Sequence, residues 1–283
     1  MVINGRTDMA SELHRRLCGE SSVTELPGVR ATEEQVSGFS VTTVEILDDR
    51  GEQALGKPVG RYITMELPSR ISDRFSEAAA TLADLIRRCT GPGPLAQRVL
   101  LAALGNPDIT PDAVGPLAAG HLLVTRHLKQ SSAGAFSAFR STTLCRPGVL
   151  GTSGMESAQQ IQALCRTFHP DMVIAIDALA GADLERLCRS VQICNTGIAP
   201  GSGVGNSREA LDQETLGVPV LAIGVPTVVD AAAFSADPAL NGMFVTPRSI
   251  DSLVRGCAKL IGYGINLALH DGLQVEEIEM LLS

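Results

Sequence analysis

Tryptophan is absent from this 283-residue chain, tyrosine occurs twice and phenylalanine seven times. A core must therefore be built from Val, Ile, Leu and Ala, which suits parallel strands buried between helices. Basic runs are missing as well. No stretch of Lys or Arg exceeds two residues and the formal net charge is −8, which counts against direct nucleic-acid binding. No apolar stretch reaches the ~18 residues that a membrane span needs; the longest, 260–269, is short and broken by glycines. The first twenty residues are polar and charged throughout, so no secretory signal is expected there. The seven cysteines never form a CxxC pair, and an odd number without an export signal reads as reduced thiols in a cytoplasm. There is neither a His-Glu-x-x-His sequence nor a Cys/His cluster. Local spacing thus supports no zinc site, and no cofactor is expected. Serine chemistry is poorly served too: Gly151-Thr152-Ser153-Gly154 misses the Gly-x-Ser-x-Gly elbow by one position.

What is present fits a globular α/β chain. The composition is 45% hydrophobic and 19% charged, too apolar for disorder. The polar first ~35 residues lack a clear period and read as a surface-lying arm. Residues 41–46 and 59–67 alternate and read as a β-hairpin, and 72–89 has helical spacing. Continuous apolar runs follow at 98–104, 172–176, 190–194 and 218–223, with helical stretches expected at about 157–168, 180–187 and 208–211. Apolar strands alternating with helices predict one domain with a mainly parallel sheet, flanked by helices on both faces. The tail, 250–282, reads as two helices split near 270–272.

Ligands of open α/β sheets bind beyond the carboxyl ends of the strands. The strand 98–104 leads into Gly105-Asn106-Pro107-Asp108-Ile109-Thr110-Pro111-Asp112, and the strand 172–176 into Asp177. Two carboxylates on one rim can share a proton and activate water. The competing local readings are a helix start at Thr110-Pro111-Asp112 and a helix cap at Asp177. Glu66, at the end of a hairpin strand, is a possible third acid, balanced against a plain edge carboxylate. His121 and His127 flank a strand-like Leu122-Leu123-Val124-Thr125. The run Gly201-Ser202-Gly203-Val204-Gly205-Asn206 lacks the endings of nucleotide-binding loops, and reads as a tight turn bringing amides to the rim.

Several blocks, taken in order, resemble the germination protease family of endospore-forming bacteria: Arg6-Thr7-Asp8-Met9-Ala10, Lys57-Pro58-Val59-Gly60, Thr110-Pro111-Asp112-Ala113, Val124-Thr125-Arg126-His127, Ile176-Asp177-Ala178-Leu179, the 195–206 segment and Gly224-Val225-Pro226-Thr227. The resemblance spans nearly the whole chain. It implies an endopeptidase, made as a zymogen, that starts degradation of small acid-soluble spore proteins and cuts after an acidic residue. It implies a homotetramer in the cytoplasm of the forespore or spore core, with a fold similar to hydrogenase maturation proteases. The family's two aspartates fall on Asp112 and Asp177. Thr7-Asp8-Met9-Ala10-Ser11-Glu12 resembles the family's substrate consensus, which implies self-cleavage between Asp8 and Met9, a pro-segment over 1–8 and a single peptidase domain over 9–283. An acidic specificity calls for a cation, for which Arg126 with His127 beside it is the first candidate, with Lys57 and Arg61 as alternatives. Two other readings are a metal-assisted peptidase on the same fold and a catalytically silent scaffold.

Overall fold

The computed structural model describes residues 6–21, 26–91, 95–131, 134, 136–206, 208–234 and 237–282. Their elements run α1 (Ala10–Ser21), β1 (Val29–Val36), β2 (Phe39–Ile46), α2 (Asp49–Leu55), β3 (Gly60–Glu66), α3 (Phe75–Thr90), β4 (Arg98–Ala103), α4 (Val114–Ala118), α5 (Arg126–Ser131) and β5 (Ser141–Cys145). They continue with α6 (Leu150–Ser153), α7 (Ser157–Phe168), β6 (Met172–Gly181), β7 (Ser190–Cys194), α8 (Gln213–Leu216), β8 (Val220–Asp230), β9 (Phe244–Val245), α9 (Ile250–Leu269) and α10 (Val275–Leu282).

One sheet carries the strands in the order β1-β2-β3-β7-β8-β6-β4-β5, with β9 paired to β8. The core strands β8, β6, β4 and β5 are parallel. From β7 outward the pairing is antiparallel, through β3, β2 and β1. The central strands are buried along nearly their whole length, because helices cover both faces. Over one face lie α3 and α9, whose Leu82, Leu85, Ile86, Ile261 and Ile265 join Leu101, Ile174 and Ile223 in the largest core cluster. The other face is closed by α7, through Ile161 and Cys165 against Leu100 and Val173. Beside it α1 meets the hairpin through Ala10, Leu13 and Leu17 against Val44 and Tyr62. Among the described residues no helix is long and apolar enough to cross a membrane.

Four local expectations are revised. The first segment is not a surface arm: 10–21 is helical, Met9 and Ala10 are fully buried, and 29–36 pairs with β2. Its polar residues enter the interior because they find partners there, and a partnered polar group escapes most of the burial penalty. Residues 122–125 form no strand, since their amides bond side chains instead, Leu123 to Asn266 Oδ1 and Thr125 to Thr142 Oγ1. In place of a helix at 180–187, β6 continues to Gly181 and a single turn of 3₁₀ helix follows at Leu184–Arg186. The amides of Ala180 and Ala182 are held there by the carboxylates of Asp8 and Glu12. Around 208–211 the chain makes a bridge, Ile198 to Leu211, ahead of the short α8. The hairpin of 41–46 and 60–66 and the split tail helix match the sequence pattern.

Candidate functional site

The loop after β4 turns back sharply at Gly105. Its φ of +107° is open to glycine, and a Cβ there would stand 2.0 Å from the Asp112 carbonyl oxygen. This fold-back brings Asp112 to the strand ends, where its Oδ2 accepts the Asn106 amide at 2.8 Å. Asp112 closes a 3₁₀ turn, Thr110–Asp112, and caps no helix with its side chain. Asp177 lies inside β6, one residue past the point where its pairing with β4 ends at Ile176. Beyond that point the strand has β8 on one side and an open rim on the other. Asp177 is 4% exposed, and its Oδ1 accepts the Ala178 amide at 2.9 Å.

Both aspartates line one cleft of about 630 Å³, together with Asp8, Leu179, Ala180 and Gly203. An adjoining cavity of about 220 Å³ is lined by Asp177, Asp8, Lys57, Gln192 and Ser202. Asp8 and Asp177 therefore stand between the two spaces. Burial pushes the Asp177 carboxyl well above the ordinary carboxylate range, and the charges of Asp112 and Asp8 push it further. Asp112 is also raised, by burial, with the Asn106 amide pulling the other way. Burial thus disfavours the ionised form of Asp177 more strongly than that of Asp112.

The N-terminal segment is seated in this site. The Asp8 amide donates to the Ala180 carbonyl at 2.9 Å, extending the edge of β6. The Asp8 carboxylate takes the Ala180 amide on Oδ2 at 2.9 Å and the Ser202 hydroxyl on Oδ1 at 2.8 Å. Gly203 makes room for it: a Cβ at 203 would stand 2.1 Å from Asp8 Oδ2. Gln192 donates from Nε2 to the Asp8 carbonyl at 3.1 Å and accepts the Ala10 amide on Oε1 at 2.8 Å. Further on, Thr64 donates to Ser11 at 3.2 Å, and Glu12 accepts the Ala182 amide at 2.7 Å and the Thr7 hydroxyl at 2.5 Å. The side chain of Asp8 thus reads across the rim and does not cap α1.

A family model described as "Germination protease" matches residues 5–241. The chain belongs to the germination protease family. Germination proteases of Caldanaerobacter subterraneus subsp. tengcongensis and Clostridium perfringens are 41% and 37% identical to it over 331 aligned positions. Those alignments take in 100% of this chain and 99% and 100% of the relatives. The germination protease of Bacillus cytotoxicus is 41% identical over 244 residues, 82% of this chain and 65% of its own. A solved [NiFe] hydrogenase maturation protease, HycI from Thermococcus kodakarensis, overlaps 64% of this chain and 98% of its own at 18% identity, with a TM-score of 0.36, a likeness too slight to bear on function. As a germination protease, the chain is a peptidase, a hydrolase of peptide bonds.

In this germination protease the other site candidates fall in separate places. Lys57 lines the smaller cavity beside Asp8 and Asp177. Arg126 turns away to lie 4.7 Å over the ring of Phe168, and neither Arg126 nor His127 lines the two spaces around the aspartates. Arg61 is engaged by Glu45 at 2.9 Å on the hairpin. Glu66 is ion-paired with the buried Arg186 at 2.8 Å, and Arg186 also donates to Ser11 at 2.8 Å, so this acid helps anchor the N-terminal segment. Burial raises the Glu66 carboxyl while the Arg186 charge offsets part of the effect. Among the described residues no group of three or more His, Cys, Asp or Glu could hold a metal ion. Sequence reading missed Gln192 and the role of Ser202. A signal for the first was available, since an amide in the middle of the apolar run Ser190–Cys194 has to find partners off the strand.

Proposed function

We propose that this chain is a self-processing endopeptidase that starts the degradation of small acid-soluble spore proteins at germination, cutting after an acidic residue and using Asp112 and Asp177 to activate water. The observation that carries the reading is the seating of Asp8 in the cavity it lines together with Asp177, with the Asp8 carboxylate gripped by Ala180 and Ser202. The acid-reading elements are neutral donors, an amide and a hydroxyl, with Lys57 the cation that shares the cavity. In the reaction, ionised Asp112 takes a proton from water as its oxygen attacks the Asp8 carbonyl carbon. The C–N bond to Met9 breaks, and the proton held by Asp177 passes to the leaving nitrogen. The products are the Asp8 carboxylate on the released 1–8 pro-segment and a new amino terminus at Met9, heading the peptidase domain 9–283. As the family resemblance implies, the active form is a homotetramer in the spore core.

Incubating the full chain at mildly acidic pH and following its mass tests this reading. Loss of residues 1–8, blocked in both Asp112→Asn and Asp177→Asn and unaffected by a chelator, supports it. A different new N-terminus, or undiminished processing in either variant, refutes it.

A further inference from the structure

We infer that Gln192 is a catalytic residue, the donor that stabilises the oxyanion formed on the carbonyl of the cleaved bond. The inference rests on the proposed cut between Asp8 and Met9. Its basis is the contact of Gln192 Nε2 with the Asp8 carbonyl oxygen at 3.1 Å, the oxygen that takes up negative charge when water adds to the adjoining carbon. The amide orientation is set by chemistry. Its other atom faces the Ala10 N–H at 2.8 Å, which only an oxygen can accept, so nitrogen must face the carbonyl. One side chain thereby spans Met9, holding the Asp8 carbonyl before it and the Ala10 amide after it.

The sheet register explains why this residue meets Asp177. Gln192 on β7 is directly opposite Gly224 on β8, and Gly224 is opposite Asp177 on β6. Laterally opposite residues point to the same face. Gln192 and Asp177 therefore rise from one side of the sheet about 10 Å apart, two strand spacings, on either side of Gly224, whose missing side chain leaves room for Leu179. The N-terminal segment runs along this face. Asp8 meets β6 at Ala180, Ala10 meets β7 at Gln192, and Ser11 meets β3 at Thr64. Gln192 is 5% exposed, so its donor works away from bulk water, where a fixed dipole acts most strongly on developing charge. Any extended substrate that replaces the segment in this trough would present its carbonyl to the same nitrogen.

Removing one oxyanion donor typically lowers kcat about 10²–10³-fold. The test is the first-order rate of self-processing in the full chain for wild type, Gln192→Met and Gln192→Asn. The first keeps length and loses the donor; the second keeps the amide and withdraws it by one methylene. Hydrogen exchange at the Asp8 amide, which donates to the Ala180 carbonyl and not to Gln192, measured on the same samples, reports whether the segment is still seated. A rate at least 100-fold lower with the Asp8 amide still protected is expected, because Ala180 and Ser202 continue to hold Asp8. Processing within threefold of wild type in both variants overturns the proposal. Loss of rate together with loss of protection in both also overturns it, by showing that Gln192 only seats the segment. Undiminished processing in Asp112→Asn and Asp177→Asn would instead remove the aspartates, leaving Gln192 to be judged on its own rate.

Discussion

Replacing Ser202 by alanine should weaken recognition of the acidic residue without disturbing the fold. The Ser202 hydroxyl, 2.8 Å from Asp8 Oδ1, is one of two donors on that carboxylate, the other being the Ala180 amide at 2.9 Å. A hydrogen bond to a charged group is worth about 1.5–3 kcal/mol, and about 1.4 kcal/mol is a factor of ten. Ser202→Ala should therefore lower kcat/KM by about 10–150-fold on a peptide spanning residues 3–14. The assay offers this peptide to chain that has already processed itself and follows cleavage by mass spectrometry. A second peptide carries Asp8→Asn. Its amide group cannot accept from both donors, so wild-type enzyme should cut it poorly and Ser202→Ala should add little further loss. The two changes must be strongly non-additive if they remove the same contact. Equal losses on both peptides would show that Ser202 does not read the acid.

Gly203→Ala should abolish self-processing, since the added methyl would stand 2.1 Å from Asp8 Oδ2 and 2.6 Å from the Ala180 Cβ; normal processing would refute the pocket. Asp177→Asn should raise the melting temperature near pH 8. The raised carboxyl makes the native fold hold its proton more tightly than the unfolded chain, so the stability this group contributes is complete below its unfolded value of about 3.9 and is lost as pH rises through the folded value. Calorimetry from pH 4 to 8 should show the gain shrinking toward acid, and a constant difference would contradict the shift. Self-processing should slow as pH rises through that same range, because the departing nitrogen needs the Asp177 proton; a rate that climbs steadily to pH 9 would argue against it. Arg186→Met leaves Glu66 without its partner and removes the bond to Ser11. It should destabilise the fold by about 3–5 kcal/mol, read by urea titration, whereas a change below 1 kcal/mol would show the pair to be dispensable.

Much of the candidate site is legible in the sequence. Burial and strand period are properties of neighbouring residues, so the apolar runs ending at Leu104 and Ile176 announced the parallel core and the rim where Asp112 and Asp177 lie. The segment Thr7–Glu12 is legible as a substrate-like stretch through its resemblance to the family's substrate consensus. Arg126 shows the limit of such reading. A cation near a strand-like run resembles a specificity group, yet its guanidinium is taken up by the face of Phe168. The helix expected at 180–187 failed for a related reason. Its residues have no local objection to helix, and two carboxylates from near the N-terminus, Asp8 and Glu12, hold the Ala180 and Ala182 amides instead.

The sequence by itself thus determined the fold class, the family, the two aspartates near the end of the β4–β6 pairing and the substrate-like segment, since each is written in short-range pattern or residue identity. Tertiary structure alone decided that this segment lies against the sheet, that the Asp8 carboxylate is held by the Ala180 amide and Ser202, and that Gln192 bonds the Asp8 carbonyl. The physical reason is separation along the chain. Those contacts join residues 172, 194 and 184 positions apart, and hydrogen bonds of that span follow from how strands and loops pack in space, which no local period records.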